Sequence, residues 1–182
     1  MTFQVILGMI LAGILSNNYP LIECLGTGAV LENERSNKRS VVLGLGTTVV
    51  MLISTLITWP INEYLLAKAP YLQTLAFVCV VLVVVEILHL LEHHNFEKFC
   101  RVDFTKFAIN GAVLGLCIHN THLAFPEALI TTLGVGLGFT VVLTVFSALE
   151  FRIDYDAVPY AFRGLPIHLL IAGMMVLALL CF

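Results

Sequence analysis

The sequence predicts an all-α membrane protein of six transmembrane helices, built as two inverted three-helix repeats. Helices one and four are interrupted, and both termini are extracytoplasmic. Three observations predict this. Hydrophobic residues make up 59% of the chain and charged residues 12%, where a soluble domain carries roughly 25% charge; mean hydropathy is +0.99. Apolar stretches of about 20 residues, the length that crosses a bilayer as a helix, occur six times. Finally, a short pattern occurs twice in the same order. Gly28-Ala29-Val30-Leu31 returns as Gly111-Ala112-Val113-Leu114, and Gly44-Leu45-Gly46-Thr47-Thr48-Val49-Val50 returns as Gly136-Leu137-Gly138-Phe139-Thr140-Val141-Val142. Fixed-order self-similarity in an apolar chain marks membrane folds made of structural repeats, whose functional site lies where the repeats meet. The chain reads as one integral membrane domain, repeat one covering about 1–95 and repeat two about 100–182.

The first span, about 2–31, is too long for one plain crossing and is broken by Asn17-Asn18-Tyr19-Pro20. Spans two and three cover about 41–61 and 71–91. The fourth, about 107–125, is interrupted at Asn110-Gly111 and ends in His119-Asn120-Thr121-His122. The last two cover about 128–149 and 165–182. Basic residues then sort the loops. Arg35, Lys38 and Arg39 fall in loop one, Lys98, Arg101 and Lys106 in loop three, Arg152 and Arg163 in loop five, and only Lys68 in loop two. Odd loops are therefore expected in the cytoplasm and both termini outside. With no Lys or Arg before Arg35, a cleaved signal peptide is not expected. Three spans per repeat put the second repeat into the membrane from the opposite side. Paired broken helices at matching positions point to a site near the bilayer midplane, since irregular backbone survives there only inside protein or against a cavity.

The candidate residues follow from that placement. Asn17, Asn18 and Glu23 lie within the first span, where polar groups are costly and face the protein interior. They serve an ion path or a hydrogen-bonded turn at Pro20. Glu86 and His89 sit one helical turn apart near the end of the third span, followed by Glu92, His93 and His94. A carboxylate beside imidazoles relays protons or binds a cation, or else snorkels to the interface. His89-Leu90-Leu91-Glu92-His93 also fits the inverted zinc-protease pattern, although a third ligand is needed and a duplicated six-span core is a poor setting for it. His119 and His122 form either a metal pair or a polar helix end. Gly28 and Gly111 allow close backbone approach in the broken helices. Gly44, Gly46, Gly134, Gly136 and Gly138 make small faces for helix packing. The five cysteines, Cys24, Cys79, Cys100, Cys117 and Cys181, form no C-x-x-C pair and read as small buried hydrophobes. No catalytic residue and no metal site is assigned.

Across nearly its whole length the chain resembles the Rnf/Nqr family of six-helix membrane subunits, and within it the RnfA/NqrE type. The resemblance rests on Asn17-Asn18 with Leu25-Gly26, Gly44 to Thr48, and Leu72-Gln73-Thr74-Leu75-Ala76-Phe77. It continues through Asn110 to Gly115 and closes with Asp156-Ala157-Val158-Pro159, Phe162-Arg163-Gly164 and Ile171-Ala172-Gly173-Met174-Met175. It implies a subunit, not catalytic alone, of an ion-translocating electron-transfer oxidoreductase linked to NADH or ferredoxin, in a prokaryotic inner membrane. It also implies an inverted six-helix sister of the RnfE/NqrD type, with a [2Fe–2S] cluster held between the broken helices of the pair. The family's ligand cysteines align with Gly28 and Gly111, so both thiolates are missing beside Asn110. Cys24 and Cys117 are displaced from those positions and are poor substitutes. His89 stands where relatives often carry a carboxylate, and the lead-in Arg101 to Lys106 is shorter than theirs. The resemblance thus implies a divergent paralogue without its own cluster ligands. The other function class open to this fold is an inverted-repeat permease component for a small solute or cation.

Overall fold

The computed structural model describes residues 3–14, 37–66, 70–95, 111–154 and 158–180. Among them are six α-helices: α1 (Phe3–Ile14), α2 (Asn37–Tyr64), α3 (Gln73–Asn95), α4 (Gly111–His119), α5 (Phe125–Phe151) and α6 (Leu165–Leu180). Each falls on one of the six predicted spans. At about 1.5 Å per residue, α2 and α5 are roughly 40 Å long and exceed a hydrocarbon core of about 30 Å. Helix α4 is described from Gly111 onward; Asn110, beside which the sequence predicts the break, lies outside the described residues. The first break, at Asn17 to Pro20, lies outside the described residues.

Helices α2 and α5 form the central pair. Helix α1 lies along α5, α3 and α4 pack on α2, and α6 packs chiefly on α5. The face that α5 turns outward is a stripe at four-residue spacing of Leu133, Leu137, Val141, Val145 and Leu149, each at least 40% exposed. Its buried positions include Thr131, Thr132, Gly134, Gly136, Gly138, Ser147 and Glu150. Apolar residues outside, with small and polar ones among those within, depart from the order of a soluble helix. That order suits lipid, which drives no hydrophobic association of helices and leaves close contact and interhelical hydrogen bonds to do so. Buried and half-buried hydroxyls settle much of their own cost by donating one turn back: Thr47 to Leu43 O, Thr58 to Ser54 O and Thr144 to Thr140 O, at 2.8–2.9 Å. The apolar core is filled by Phe77, Phe139, Phe146, Met51 and Leu116.

Glycine sets how near the helices come. A Cβ on Gly13 would lie 2.7 Å from the carbonyl carbon of Gly134, and one on Gly138 would meet Ile14 Cα at 2.9 Å. Only missing side chains let α1 and α5 touch through backbone. Of the glycines predicted to make packing faces (Gly44, Gly46, Gly134, Gly136 and Gly138), Gly44, Gly134, Gly136 and Gly138 stand in such close contacts.

Candidate functional site

The two copies of the glycine pattern meet. A Cβ on Gly44 would lie 2.6 Å from Thr140, and one on Gly136 would lie 2.5 Å from Thr48. Each threonine stands four residues after the glycine of its own copy, so each copy's threonine covers the other's glycine. At the centre, Thr48 Oγ1 and Thr140 Oγ1 are 3.4 Å apart, residues separated by 92 positions, the same spacing that separates the two copies in sequence. Each hydroxyl also donates to its own glycine carbonyl, Thr48 to Gly44 O at 2.8 Å and Thr140 to Gly136 O at 3.0 Å. The contact is reciprocal and the helices antiparallel.

On one side of this crossing lies a buried polar triad. Asn120 Nδ2 donates to Thr132 Oγ1 at 2.9 Å and to Thr55 Oγ1 at 3.3 Å, and the two hydroxyls are 3.2 Å apart. Thr132 donates onward to Ala128 O at 2.7 Å. Asn120 Oδ1 and Ser54 Oγ are buried without a hydrogen-bond partner among the described residues. A 3₁₀ turn over Asn120–His122 aims Asn120 inward and leaves His119 and His122 exposed. Trp59 Nε1 donates to Leu123 O at 3.0 Å and its ring packs on Phe125, closing this end. On the other side of the crossing lie buried Ser40, Ser147 and Glu150, with His168 of α6 against Glu150.

Few of the sequence-predicted candidates fall in either place. Asn17, Asn18, Glu23, Cys24, Gly28 and Asn110 lie outside the described residues. Gly111 is half-buried at the first position of α4. Glu86 is exposed on α3, and His89 lies on the same helix with its side chain outside the described set. No group of three or more His, Cys, Asp or Glu that could hold a metal occurs among the described residues.

The described donors do not fit an iron–sulfur cluster. Such clusters are held by thiolates, occasionally imidazoles. Gly111 offers neither. Cys117, the thiol nearest it in sequence, lies about 9 Å further along α4, 1% exposed in the apolar core. Asn120, Glu150 and His168 were not picked out from the sequence. The available signal was the rule that selected Glu23, since His168 lies within the predicted sixth span.

These features define an all-helical protein with two long apolar helices crossing in a close-packed, polar-lined centre. The chain belongs to the Rnf-Nqr family: the family model described as Rnf-Nqr subunit, membrane protein, matches residues 6–182. It is 32% identical over 181 residues to the ion-translocating oxidoreductase complex A subunit of Thioalkalivibrio sulfidiphilus, covering 96% of this chain and 94% of that protein. The subunits of the same name from Glaesserella parasuis and Aliivibrio salmonicida are 30% and 31% identical over the same shares.

Proposed function

We propose that the chain is the A-type membrane subunit of an ion-translocating oxidoreductase complex in a bacterial inner membrane. The observation that carries this reading is the match over residues 6–182, together with about 30% identity to three subunits of that name across more than nine-tenths of each chain. The fold is two inverted three-helix repeats with both termini outside. Support comes from the reciprocal Gly44–Thr140 and Gly136–Thr48 contacts, which a two-fold relation between antiparallel copies requires and an accidental crossing does not.

In this reading the chain frames the membrane part of the electron path without holding a cluster of its own. Gly28 and Gly111 stand at the positions of the family's ligand thiols, with Asn110 beside the second. Asn17, Asn18, Glu23, Glu86 and His89 are the candidates for the wall of an ion path. The partner is a second six-helix chain of opposite orientation, which covers the backbone that broken helices would otherwise leave to lipid at several kcal/mol per group.

Crosslinking of cysteines placed at Thr27 and Asn110 in native membranes tests the partner. Linkage to a second six-helix chain with its basic residues in even-numbered loops is expected. A chain recovered only as a monomer, with those positions open to lipid, overturns it. An affinity-tagged chain that purifies without flavin-carrying or iron–sulfur subunits overturns the complex itself.

A further inference from the structure

Helix α3 has a side that none of the other described helices covers. It packs on α2 and α4 and buries Phe77, Val81, Val84 and Val85, each at most 4% exposed. At about 3.6 residues per turn, the opposite side is centred on Leu75, Cys79, Leu82 and Glu86, which follow one another at steps of four, three and four. All four are exposed, Leu75 by 63% and Leu82 by 50%. Glu86 therefore stands in the middle of the outward face and not at an edge, from which its carboxyl could turn into the bundle.

Depth makes this placement informative. Glu86 is the one charged residue in the apolar run Gln73–Leu88. In a third span of about 71–91 it lies about five residues, or ~8 Å, from the middle, inside a hydrocarbon core of about 30 Å. Ionisable side chains at such depth are costly, and almost all of them face a bundle interior or pair with another polar group. Lipid accounts for Leu75 and Leu82 on this face. It does not account for Glu86, and the described neighbours of α3 lie on its other side.

We propose that this face of α3 is a subunit interface, on which a membrane helix of another protein lies and presents an N–H donor (Lys, Arg, His, Asn or Gln) to the Glu86 carboxyl. The donor supplies the polar partner that hydrocarbon cannot. Steps of four, three and four residues make the seam along which two helices pack at a small angle, so one partner helix covers Leu75, Cys79, Leu82 and Glu86 together. The proposal rests on the reading of the chain as the membrane subunit of a larger complex. It adds a second contact to the one inferred for Gly28 and Gly111.

A photoreactive benzoylphenylalanine at Leu82 of the full chain, irradiated in native membranes, tests this, with the adducts identified by mass spectrometry. The expected product joins Leu82 to a transmembrane segment of another protein that carries an N–H donor side chain within about one turn of the linked residue. Glu86→Gln keeps an acceptor and should keep the yield, whereas Glu86→Leu leaves the donor unpaired and should lower it several-fold. Replacing the partner's donor by Leu in the Glu86→Leu background should restore it. Should Glu86→Leu fail to accumulate, the same loss is read from removal of the partner's donor alone. Adducts with lipid only, with another segment of the same chain or with a second copy of it overturn the proposal, as does a yield indifferent to the pairing. A donor-bearing partner from an assembly without flavin or iron–sulfur subunits would overturn the complex proposed above and leave this interface standing.

Discussion

The two ends of the α2–α5 crossing are the same structure finished differently. At the spacing of 92 residues that relates Thr48 to Thr140, Thr55 answers to Ser147 and Thr132 answers to Ser40. All four are buried. At the first end Thr55 and Thr132 bond to each other and are joined by Asn120, a neutral amide supplied by the turn after α4. At the second end Ser147 Oγ has no partner among the described residues, and His168 of α6 lies against Glu150 of α5 instead. The centre stays alike in both copies because two helices in backbone contact tolerate only glycine and a small β-branched cover. The ends are free to differ, and they differ in their groups: an amide with two hydroxyls at one, a carboxylate beside an imidazole at the other.

The largest expected effect separates the ends. His168→Leu takes a partner from a buried carboxylate and should cost about 3 kcal/mol, read as unfolding in detergent micelles. Replacing both Glu150 and His168 by Leu should recover most of that. A double variant no better than the single one would mean that the couple does not act as a unit.

Close to it in size is the centre. Gly44→Ala would press a Cβ against Thr140 Cα at 2.6 Å, a backbone atom that cannot rotate away. Overpacking of this kind costs about 1–3 kcal/mol, and this site should sit near the upper limit. Gly136→Ala meets Thr48 Cγ2 at 2.5 Å, with Thr48 Cβ at 3.0 Å. Its cost should be smaller and should fall further in combination with Thr48→Ser, which removes that methyl. Rescue of Gly44→Ala by Thr140→Ser to the same degree would contradict this packing.

The six helices and the glycine faces were legible in the sequence because both are local. A run of apolar residues long enough to cross a bilayer needs no partner to be recognised, and a glycine pattern copied at matching positions announces a contact before the contact is seen. The polar sites were not legible because their meaning lies across helices. Asn120 reads as one member of a polar helix end between His119 and His122, and only the 3₁₀ turn separates the buried residue from its exposed neighbours. Glu150 falls just past the predicted fifth span, and nothing in its neighbourhood announces His168, 18 residues further on.

Asn120→Ala should cost about 1–2 kcal/mol, less than losing His168, because the neighbours it leaves are neutral. Thr55 and Thr132 remain 3.2 Å apart, and Thr132 keeps its bond to Ala128 O. A cost above that of His168→Leu would reverse the ranking of the two ends.

The smallest effect is the finest test of the comparison, because it sets one equivalent position against the other. Thr55→Val keeps the shape of the side chain and removes a hydroxyl that Asn120 and Thr132 both address, which should cost about 1 kcal/mol. Ser147→Ala removes a hydroxyl that is buried without a described partner. Removing such a group relieves its desolvation penalty rather than breaking a bond, so the change should be neutral or slightly stabilising. Stability of the two variants in the same micelles decides the matter. If Ser147→Ala costs as much as Thr55→Val, the Glu150 end holds a hydrogen bond at Ser147 equivalent to the Asn120 triad, and the two ends are alike in their hydroxyls.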